Sequence, residues 1–561
     1  MTPRKFDDLI DQLLYNRGLI DDEKDEEKKL EFFHPNFDSG VHDPFLLKDM
    51  EGAVGRIKKA HEAGETVGIF ADYDADGIPG AALLYRALRK IGIKTVVYIP
   101  NREGGYGLSP EGIDYLVENK CSLIVTIDLG IRNIKEAEYC EKIGVDLIIT
   151  DHHLPGDELP KPKFLINAKQ KGDGYPFKEL CGCAVGFKVI QALAKYFPKE
   201  LDEKFLKWNL DLVAISTISD VVPLIGENRV LAKFGLMVMR KTKNLGLSKL
   251  IDVAGIDPKA IQAYHVGFQI GPRINAPGRI DHATKSFELL VSEDEKEALD
   301  LAKWLNTKNE ERQGEMDKVE KEAIAQVEEK NLTKNKILIV VGDWQKGVIG
   351  PSASRLVEKY NRPVILFSRE KDTLTGSARS ISAINIVELF ERVKDTILKF
   401  GGHKAAAGIT ISEDKLEQFT TAIEDIANKE ISDEQMIRKL KIDAEVHLSE
   451  MTKTLYEKLL QFEPYGMGNS KPVFVASNTE LKFSKFIGKE SNHFSAVVGD
   501  NPHRLKLICF NFPYDKNIIS DKKRYDIVFN LNLDTWQGED KLSMNVQDMR
   551  ASQSWDKNAS R

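Results

Sequence analysis

The chain has few cysteines, no long apolar run and no excess of basic residues. Its five cysteines include the pair in "CGC" at 181–183, which has no second half at zinc-site spacing, so we expect ordinary reduced thiols. No stretch approaches the roughly 18 consecutive apolar residues of a membrane helix, and the first residues lack the apolar core of a signal peptide. We therefore expect a cytoplasmic protein with no membrane partner.

Two further absences bear on function. The sequence has no GxxxxGK[ST] loop, so we do not expect ATP to take part. The formal net charge of -7 carries no global signature of a nucleic-acid binder. A local basic groove, rather than the net charge, sets the field that a phosphate backbone meets, so the acidic average is compatible with such a partner.

Between about residues 67 and 170, short β-rich runs alternate with amphipathic helices. This alternation predicts an α/β fold in which a parallel sheet is covered on both faces. Ligands bind such sheets beyond the carboxyl ends of the strands. The acids of "DYDADG" at 72–77, Asp128 and Asp151 each follow an apolar run, so three strands deliver carboxylates to one edge.

A long helical stretch is predicted from about Glu293 to Lys330, with apolar residues near helical spacing. It would span on the order of 55 Å, enough to connect two domains. Asn309 and Arg312 fall close to its apolar stripe. Two interpretations stay open for them, a polar break in the packing and a role facing a cleft.

The rest of the chain predicts two more folding units. Residues from about 335 to 430 have the pattern of a second, smaller α/β unit, which contains the glycine-rich "FGGHKAAAG". From about 440, short strands at regular spacing favour a small barrel, and an OB-fold suits the interleaved lysines and aromatics. Phe483, Phe486 and Trp536 are candidate stacking groups for a nucleic acid, although strand aromatics are more often core residues.

The clustered acids predict a metal centre. Carboxylates that converge without counter-charges repel one another, and divalent cations remove that repulsion. Asp74, Asp76, Asp128 and Asp220 bring four negative charges, which two divalent ions would balance, and "DHH" at 151–153 adds imidazole. Oxygen ligands with one or two histidines suit Mn²⁺ or Mg²⁺. A lone Asp after a strand is more often a helix cap, but the ordered co-occurrence of these motifs favours metal.

These motifs resemble the DHH phosphoesterase superfamily and, within it, the RecJ family of bacterial single-strand-specific 5′→3′ DNA exonucleases. The resemblance implies a DHH domain with a parallel sheet, a long connecting helix, a smaller DHHA1 α/β domain and a C-terminal OB-fold β-barrel. We place these at residues 1–285 (N-terminal arm and DHH catalytic domain), 286–332 (connecting helix), 333–432 (DHHA1 domain) and 440–552 (OB-fold nucleic-acid-binding domain). The family's motifs appear in its order along nearly the whole chain: "DYDADG", "IDLG", "TDHH", "ISDVVPL", "GENRVLAKFGL", "GPRINAPGRI", "KGVIGPSASRL", "GSARS", "FGGHKAAAG" and "PYGMGN".

The resemblance also implies roles for individual residues. The family's metal ligands match Asp74, Asp76, Asp128, His152 and Asp220, with Asp72 and His153 close by as catalytic residues.

In "GPRINAPGR", Arg273, Asn275 and Arg279 stand beside glycines that let backbone approach a phosphate, and Arg273 is also a catalytic candidate. The alternative for each arginine is a structural ion pair.

The resemblance implies two further sets of site residues. Ser377 and Arg379 of "GSARS", completed by Arg102, match a pocket for the 5′-terminal phosphate, which would explain the polarity of digestion. His403 matches the residue that faces the scissile phosphate, and the alternative for it is a core histidine that caps a turn.

The expected function is metal-dependent hydrolysis of phosphodiester bonds from the 5′ end of single-stranded DNA, releasing 5′-mononucleotides, in DNA repair and recombination. Two divalent cations, Mn²⁺ or Mg²⁺, would be the cofactors. The family resemblance also implies single-strand-binding protein and a RecQ-type helicase as partners. One alternative is a DHH phosphodiesterase for cyclic dinucleotides or short RNA, which would not need the barrel. The other is a non-catalytic single-strand-binding replication scaffold, which would have lost the ligands that are present here.

Overall fold

The structure is a computed structural model that describes residues 4–101, 107–500, 503–520, 523–534 and 541–552. It divides into two compact units. The larger unit consists of His42–Asp220 and Phe234–Lys439, and the smaller one contains the residues up to Val41, Val221–Lys233 and the residues from Leu440 onward.

The strands form three sheets, and helices occupy most of the remaining described residues. The strands are β1 (Thr66–Ala71), β2 (Lys94–Tyr98), β3 (Cys121–Ile127), β4 (Asp146–Thr150), β5 (Phe164–Ile166), β6 (Leu338–Gly342), β7 (Val364–Glu370), β8 (Thr373–Arg379), β9 (Lys399–His403), β10 (Ala406–Ser412), β11 (Ala444–Glu445), β12 (Phe474–Ile487), β13 (His493–Val498), β14 (Leu505–Cys509), β15 (Arg524–Asp534) and β16 (Lys541–Ala551). The helices are α1 (Leu9–Asn16), α2 (Glu26–Phe33), α3 (Phe37–Gly40), α4 (Met50–Ala63), α5 (Gly77–Lys90), α6 (Pro110–Glu118), α7 (Ile134–Lys142), α8 (Gly182–Ala194), α9 (Glu203–Trp208), α10 (Leu210–Ser219), α11 (Gly226–Met239), α12 (Leu245–Val253), α13 (Ala263–His265), α14 (Gly271–Asn275), α15 (Pro277–Ile280), α16 (Thr284–Val291), α17 (Glu295–Glu329), α18 (Lys346–Tyr360), α19 (Ile386–Arg392), α20 (Leu416–Glu430) and α21 (Lys453–Leu460).

The predicted parallel sheet is confirmed. Its strands lie in the order β2-β1-β3-β4-β5, and every pairing is parallel. Helices α6 and α7 bury apolar residues on one face. On the other face, Ile127 of β3 approaches Gly80 of α5 and Gly186 of α8 so closely that a Cβ on either glycine would lie under 3.0 Å from it. Because both faces are covered, ligands can reach the sheet only at its edges.

The connecting helix and the second α/β sheet are also present in the larger unit. α17 is 35 residues long, or about 52 Å. The second sheet has the order β6-β7-β8-β10-β9, in which only β6 and β7 are parallel. α17 and α18 share one apolar core with β6 and β7, and α19 and α20 cover the other face. The glycine-rich "FGGHKAAAG" forms the β9–β10 hairpin.

The smaller unit contains the predicted C-terminal barrel. β12, β13, β14, β16 and β15 pair in that order, and β12 also pairs with β15, which closes five strands into the barrel of an OB-fold. The N-terminal arm shares its core, since Leu9, Leu13 and Phe32 are buried in one cluster with Phe462 and Phe494. The sequence analysis instead groups the N-terminal arm with the DHH domain, in residues 1–285. The four predicted domain ranges stay predictions.

None of the helices within the described residues is long and apolar enough to cross a membrane.

Shortening a buried side chain of the N-terminal arm should destabilise the smaller unit, which contains the barrel. Leu13 is fully buried, so Leu13→Ala should cost about 2–5 kcal/mol in the free energy of unfolding. Leu30 of the same arm is 63% exposed, and Leu30→Ala should change that free energy by about 0.5 kcal/mol or less. Urea denaturation of the full chain checks both values, and an equal effect of the two substitutions would contradict this packing.

Candidate active site

The loop after β1 folds around its own carboxylates. Asp74 Oδ1 accepts hydrogen bonds from the backbone amides of Asp76 (2.8 Å) and Gly77 (3.1 Å), so it closes the turn that leads into α5. A Cβ on Gly77 would lie 2.3 Å from the carbonyl oxygen of Asp72, which only glycine avoids. Carboxylate oxygens of Asp72, Asp74 and Asp128 lie within 4.8 Å of one another.

The N-terminus of α8 holds the next two acids in place. The carboxylate of Asp76 accepts hydrogen bonds from the amides of Gly182 (2.6 Å) and Cys183 (2.8 Å), where the helix dipole favours negative charge. Asp128 follows β3 with a φ of 64°, a left-handed conformation. A Cβ on Gly182 would lie 2.4 Å from the Cβ of Asp128, so glycine at 182 is what admits this acid.

The imidazole of His152 lies among three carboxylates. Its Nε2 is 3.1 Å from Asp128 Oδ1 and 3.6 Å from both Asp76 Oδ2 and Asp220 Oδ2. This nitrogen is buried and has no hydrogen-bond partner among the described residues. Asp76, His152 and Asp220 can each offer one ligand atom within 4.8 Å of the others, and so can Asp128, His152 and His153. These side chains are therefore close enough together to bind Mg²⁺ or Mn²⁺.

The sequence analysis places Asp151 at this edge of the sheet but assigns it no role in the site. Its Oδ1 lies 2.7 Å from His153 Nδ1, and its Oδ2 accepts a hydrogen bond from the amide of Ile131 (2.9 Å). The buried carboxylate therefore orients the His153 ring, whose Nδ1 is also 3.7 Å from Asp128 Oδ1. The signal was present, because Asp151 is the first residue of "DHH" and follows the apolar run of β4.

Burial and mutual repulsion shift the pKa values of the clustered carboxylates, and burial also shifts that of His152. Burial raises the pKa of Asp76 to about 6 and that of Asp220 to about 9, and repulsion from neighbouring carboxylates adds to both shifts. Burial, then repulsion from Asp76, raises the pKa of Asp128 well above its usual range. Burial lowers the pKa of His152 to about 3, so the ring is in the neutral form that binds metals. The residues present therefore fit divalent cations.

Lys169 is a residue that the sequence analysis missed. Its side chain is 19% exposed, and its Nζ is 4.0 Å from Glu179 Oε2. Its backbone amide donates to Asn167, whose side-chain amide donates to the carbonyl of His153. The positive charge of Lys169 opposes the rise in the pKa of Asp220 that burial and Asp76 cause. The residue follows β5, the strand next to the one that carries "DHH".

The segment "GPRINAPGR" contacts the metal loop and the connecting helix. Asn275 Oδ1 accepts a hydrogen bond from the amide of Ala75 at 2.7 Å, so this side chain braces the loop that carries the acids. Arg273 donates from Nε to Asn306 Oδ1 (3.0 Å) of α17, which is an amide rather than the carboxylate of an ion pair. Arg279 Nη1 donates to the carbonyl of Gly347 (3.1 Å) at the start of α18. Their predicted roles in phosphate binding stay predictions.

The remaining phosphate candidates lie on the second sheet. Arg379 Nη1 donates to Ser377 Oγ at 3.0 Å, so these two predicted residues lie together. His403 at the end of β9 is exposed, which is not the setting of a core histidine. Partial desolvation of the His403 ring lowers its pKa, and the charges of Arg132 and His153 lower it further, which favours the neutral ring. Arg102 lies outside the described residues.

Asn309 and Arg312 are both buried on α17. Arg312 donates to Asn309 Oδ1 (2.8 Å) and to the sulfur of Met316 (3.0 Å), and burial lowers its pKa. This arrangement is a polar break in the apolar stripe.

Of the aromatics proposed for stacking in the barrel, Phe483 is 71% exposed, with the guanidinium of Arg504 5.0 Å from its ring centre. Phe486 instead packs against Phe494 and Phe512 at the core. Trp536 lies outside the described residues.

Comparison with known proteins agrees with this architecture. Family models match residues 66–217 (DHH family, N-terminal domain), 334–429 (DHHA1 domain) and 442–548 (RecJ OB domain). The chain is 35% identical over 548 residues to the single-stranded-DNA-specific exonuclease RecJ of Bacillus subtilis, covering 97% of this chain and 68% of the relative. The chain belongs to the RecJ family. The RecJ of Escherichia coli is 32% identical, with 90% of both chains covered.

A solved structure in the RecJ family has the same fold. The crystal structure of RecJ in complex with Mn²⁺ from Thermus thermophilus superposes with a TM-score of 0.83 at 26% identity. The match covers 97% of this chain and 76% of that chain.

A methyl group at position 182 should disrupt the metal centre. Gly182→Ala would push against Asp128, so the affinity for Mn²⁺ should fall about 10- to 100-fold. Gly55 of α4 has no atom within 4 Å of an added Cβ, so Gly55→Ala should leave the affinity unchanged. Titration followed by Mn²⁺ electron paramagnetic resonance measures both, and wild-type affinity in Gly182→Ala would contradict this geometry.

Proposed function

We propose that this member of the RecJ family hydrolyses phosphodiester bonds from the 5′ end of single-stranded DNA and releases 5′-mononucleotides. The observation that carries the proposal is the meeting of Asp76, Asp128 and Asp220 around the buried Nε2 of His152. A site of this composition is built for cations that bind phosphate.

The residues that would hold the metal are Asp74, Asp76, Asp128, His152 and Asp220, and two divalent cations, Mn²⁺ or Mg²⁺, would bind there. When bound, such a pair lowers the pKa of water and stabilises the attacking and leaving oxygens of a phosphoryl displacement.

Asp72 contributes a further carboxylate beside Asp74 and Asp128. His153 can receive or return a proton at Nε2, because its Nδ1 is hydrogen-bonded to the carboxylate of Asp151.

Arg273, Arg279 and His403 bind phosphates of the DNA strand. Arg273 and Arg279, supported by Asn275, bind the backbone of the strand through planar guanidinium groups. His403 is neutral, so it can donate a hydrogen bond to the scissile phosphate without adding charge.

Ser377 and Arg379, with Arg102, bind the 5′-terminal phosphate. Only a chain end carries a terminal phosphate, and this gives the enzyme its polarity.

The expected biological setting follows from the substrate. Phe483 beside Arg504 offers the barrel a stacking and cationic contact for a single strand. Such an enzyme acts on the chromosome in the cytoplasm, in DNA repair and recombination. Single-strand-binding protein and a RecQ-type helicase, which expose and deliver the substrate, are the partners that we propose.

Removal of one central ligand should separate catalysis from binding. Asp128→Ala should abolish Mn²⁺-dependent release of mononucleotides from a 5′-phosphorylated 30-mer while strand affinity changes less than about twofold, because the phosphate-binding arginines remain. Asp252→Ala, at an exposed position of α12, should cleave as wild type does.

The same assay tests the alternatives. Cleavage of a dinucleotide but not of the 30-mer would identify a small-nucleotide phosphodiesterase, and strand binding with no metal-dependent cleavage would identify a scaffold. Normal cleavage by Asp128→Ala would contradict the metal assignment.

Loss of the second-sheet arginine should reduce the preference for a 5′-phosphate. For Arg379→Ala, the ratio of kcat/KM for 5′-phosphorylated over 5′-hydroxyl strands should fall about tenfold or more, because a charge-assisted hydrogen bond is lost. Arg392→Ala removes an exposed arginine of the same unit that pairs with Glu430, and its ratio should not change. An unaltered ratio in Arg379→Ala would place the 5′-phosphate pocket elsewhere.

A further inference from the structure

Two aromatic side chains lie stacked and exposed beside the metal-binding part of the larger unit. Tyr264 is 59% exposed and Phe268 is 70% exposed. Their ring centres are 5.1 Å apart and the rings are inclined by 29°. Two large rings held together in water have an unfavourable hydration free energy, which indicates a surface that binds something flat and apolar.

The backbone beneath the pair packs against the helix that presents Asp220. Phe268 belongs to a π-helical turn, Val266–Ile270, and such turns are frequent at functional sites. A Cβ on Gly267 would lie 3.7 Å from Ile218, and one on Gly271 would lie 2.4 Å from the hydroxyl of Ser219. Ile218 and Ser219 are the last two residues of α10, directly before Asp220. The backbone that carries the aromatic pair therefore packs against the end of the helix that precedes a metal-binding candidate.

The same segment continues into the phosphate-binding candidates. Arg273 Nη1 donates a hydrogen bond at 2.8 Å to the carbonyl of Gln269, the residue after Phe268. Asn275 then holds the metal loop through the amide of Ala75. The segment from Tyr264 to Asn275 thus carries two exposed aromatic rings, a guanidinium group and the amide side chain that holds the loop of the metal-binding acids. Phe268 and Arg273 are five positions apart in the sequence, and the Arg273 side chain folds back onto the residue after Phe268.

We propose that Tyr264 and Phe268 form a base-stacking platform that holds an unpaired base of the strand as it enters the metal centre. The inference rests on the proposed function and adds to it a contact with the bases. Stacking uses the π-face that every base has, so the platform is independent of sequence. A base inside a duplex has both faces covered by stacked neighbours, so the platform favours a strand whose bases are free to unstack.

The occupant is a nucleobase because the segment that carries the flat rings also carries Arg273, which forms no ion pair with a carboxylate of the described residues. Arg273 makes its hydrogen bonds to Gln269 and Asn306, which leaves its positive charge for a phosphate. The chemistry that matches both features is a phosphate and the base attached to the same backbone.

The test is a double-mutant cycle in which the Phe268 ring and one base of the oligonucleotide are removed separately and together. The full-length chain without metal is titrated with a 5′-phosphorylated oligonucleotide and with copies that carry one abasic site at successive positions near the 5′ end. At one or two positions the abasic site should weaken binding of the wild type about 5- to 100-fold. Phe268→Ala should weaken binding of the intact strand by a similar factor, and the abasic site should then have no further effect.

Control variants separate stacking from folding. Phe268→Leu retains apolar volume but not the flat face, and it should behave as Phe268→Ala does, whereas Phe268→Trp should restore binding. Tyr196 is a 39% exposed tyrosine beyond the C-terminus of α8, about 20 Å along that helix from the end that holds Asp76. Tyr196→Ala should bind as the wild type does.

The outcomes distinguish this inference from the proposed function. If Mn²⁺ restores mononucleotide release in the wild type, but Phe268→Ala retains wild-type affinity for the intact strand, the platform is wrong and the nuclease stands. The platform is equally wrong if the abasic penalty persists in Phe268→Ala and Phe268→Leu. If the wild type releases no mononucleotides with Mn²⁺, the proposed function fails whatever the binding results are.

Discussion

Negative charge confined in a buried space is the constraint on which the rest of this structure depends. Asp76 and Asp128 are almost fully buried, and Asp220 lies within reach of the same histidine nitrogen. Carboxylates so placed raise one another's pKa values, and an apolar surrounding cannot stabilise their ionised forms. Divalent cations resolve this conflict, and the same cations attract the phosphate of a nucleic acid.

The fold converts separate stretches of sequence into one site. β1, β3 and β4 are parallel neighbours, so the loops that follow them carry Asp74, Asp128 and His152 to the same edge. α8 adds its N-terminus, whose free amides bind Asp76, and the end of α10 adds Asp220. The centre is thus assembled from regular elements held by a packed core, which gives the ligands little freedom to move apart. Such rigidity suits a metal site, because ligands already in place lose little entropy on binding.

The phosphate-binding candidates belong to a second layer around this centre. Asn275 contacts the metal loop, and Arg279 contacts the start of α18, so "GPRINAPGR" links the two sheets of the larger unit. Glycines make this close approach possible, since a Cβ on Gly347 would lie 1.9 Å from the carbonyl of Arg279. The segment therefore combines a structural role with groups that can meet a phosphate backbone.

The amino-acid sequence by itself determined the parallel sheet, the long helix, the barrel and the set of acids, because periodicity and short motifs are local properties. The sequence places Asp151 directly after an apolar run, but the contact of its side chain with His153 is a property of the folded loop. Lys169 comes close to the acids because β5 lies beside β4, which no local pattern encodes. The packing of the N-terminal arm into the barrel core joins residues more than 400 positions apart, and no local pattern encodes that. Only the tertiary structure decided that Phe486 packs against the barrel core while Phe268 lies exposed, because exposure depends on everything that packs around a side chain.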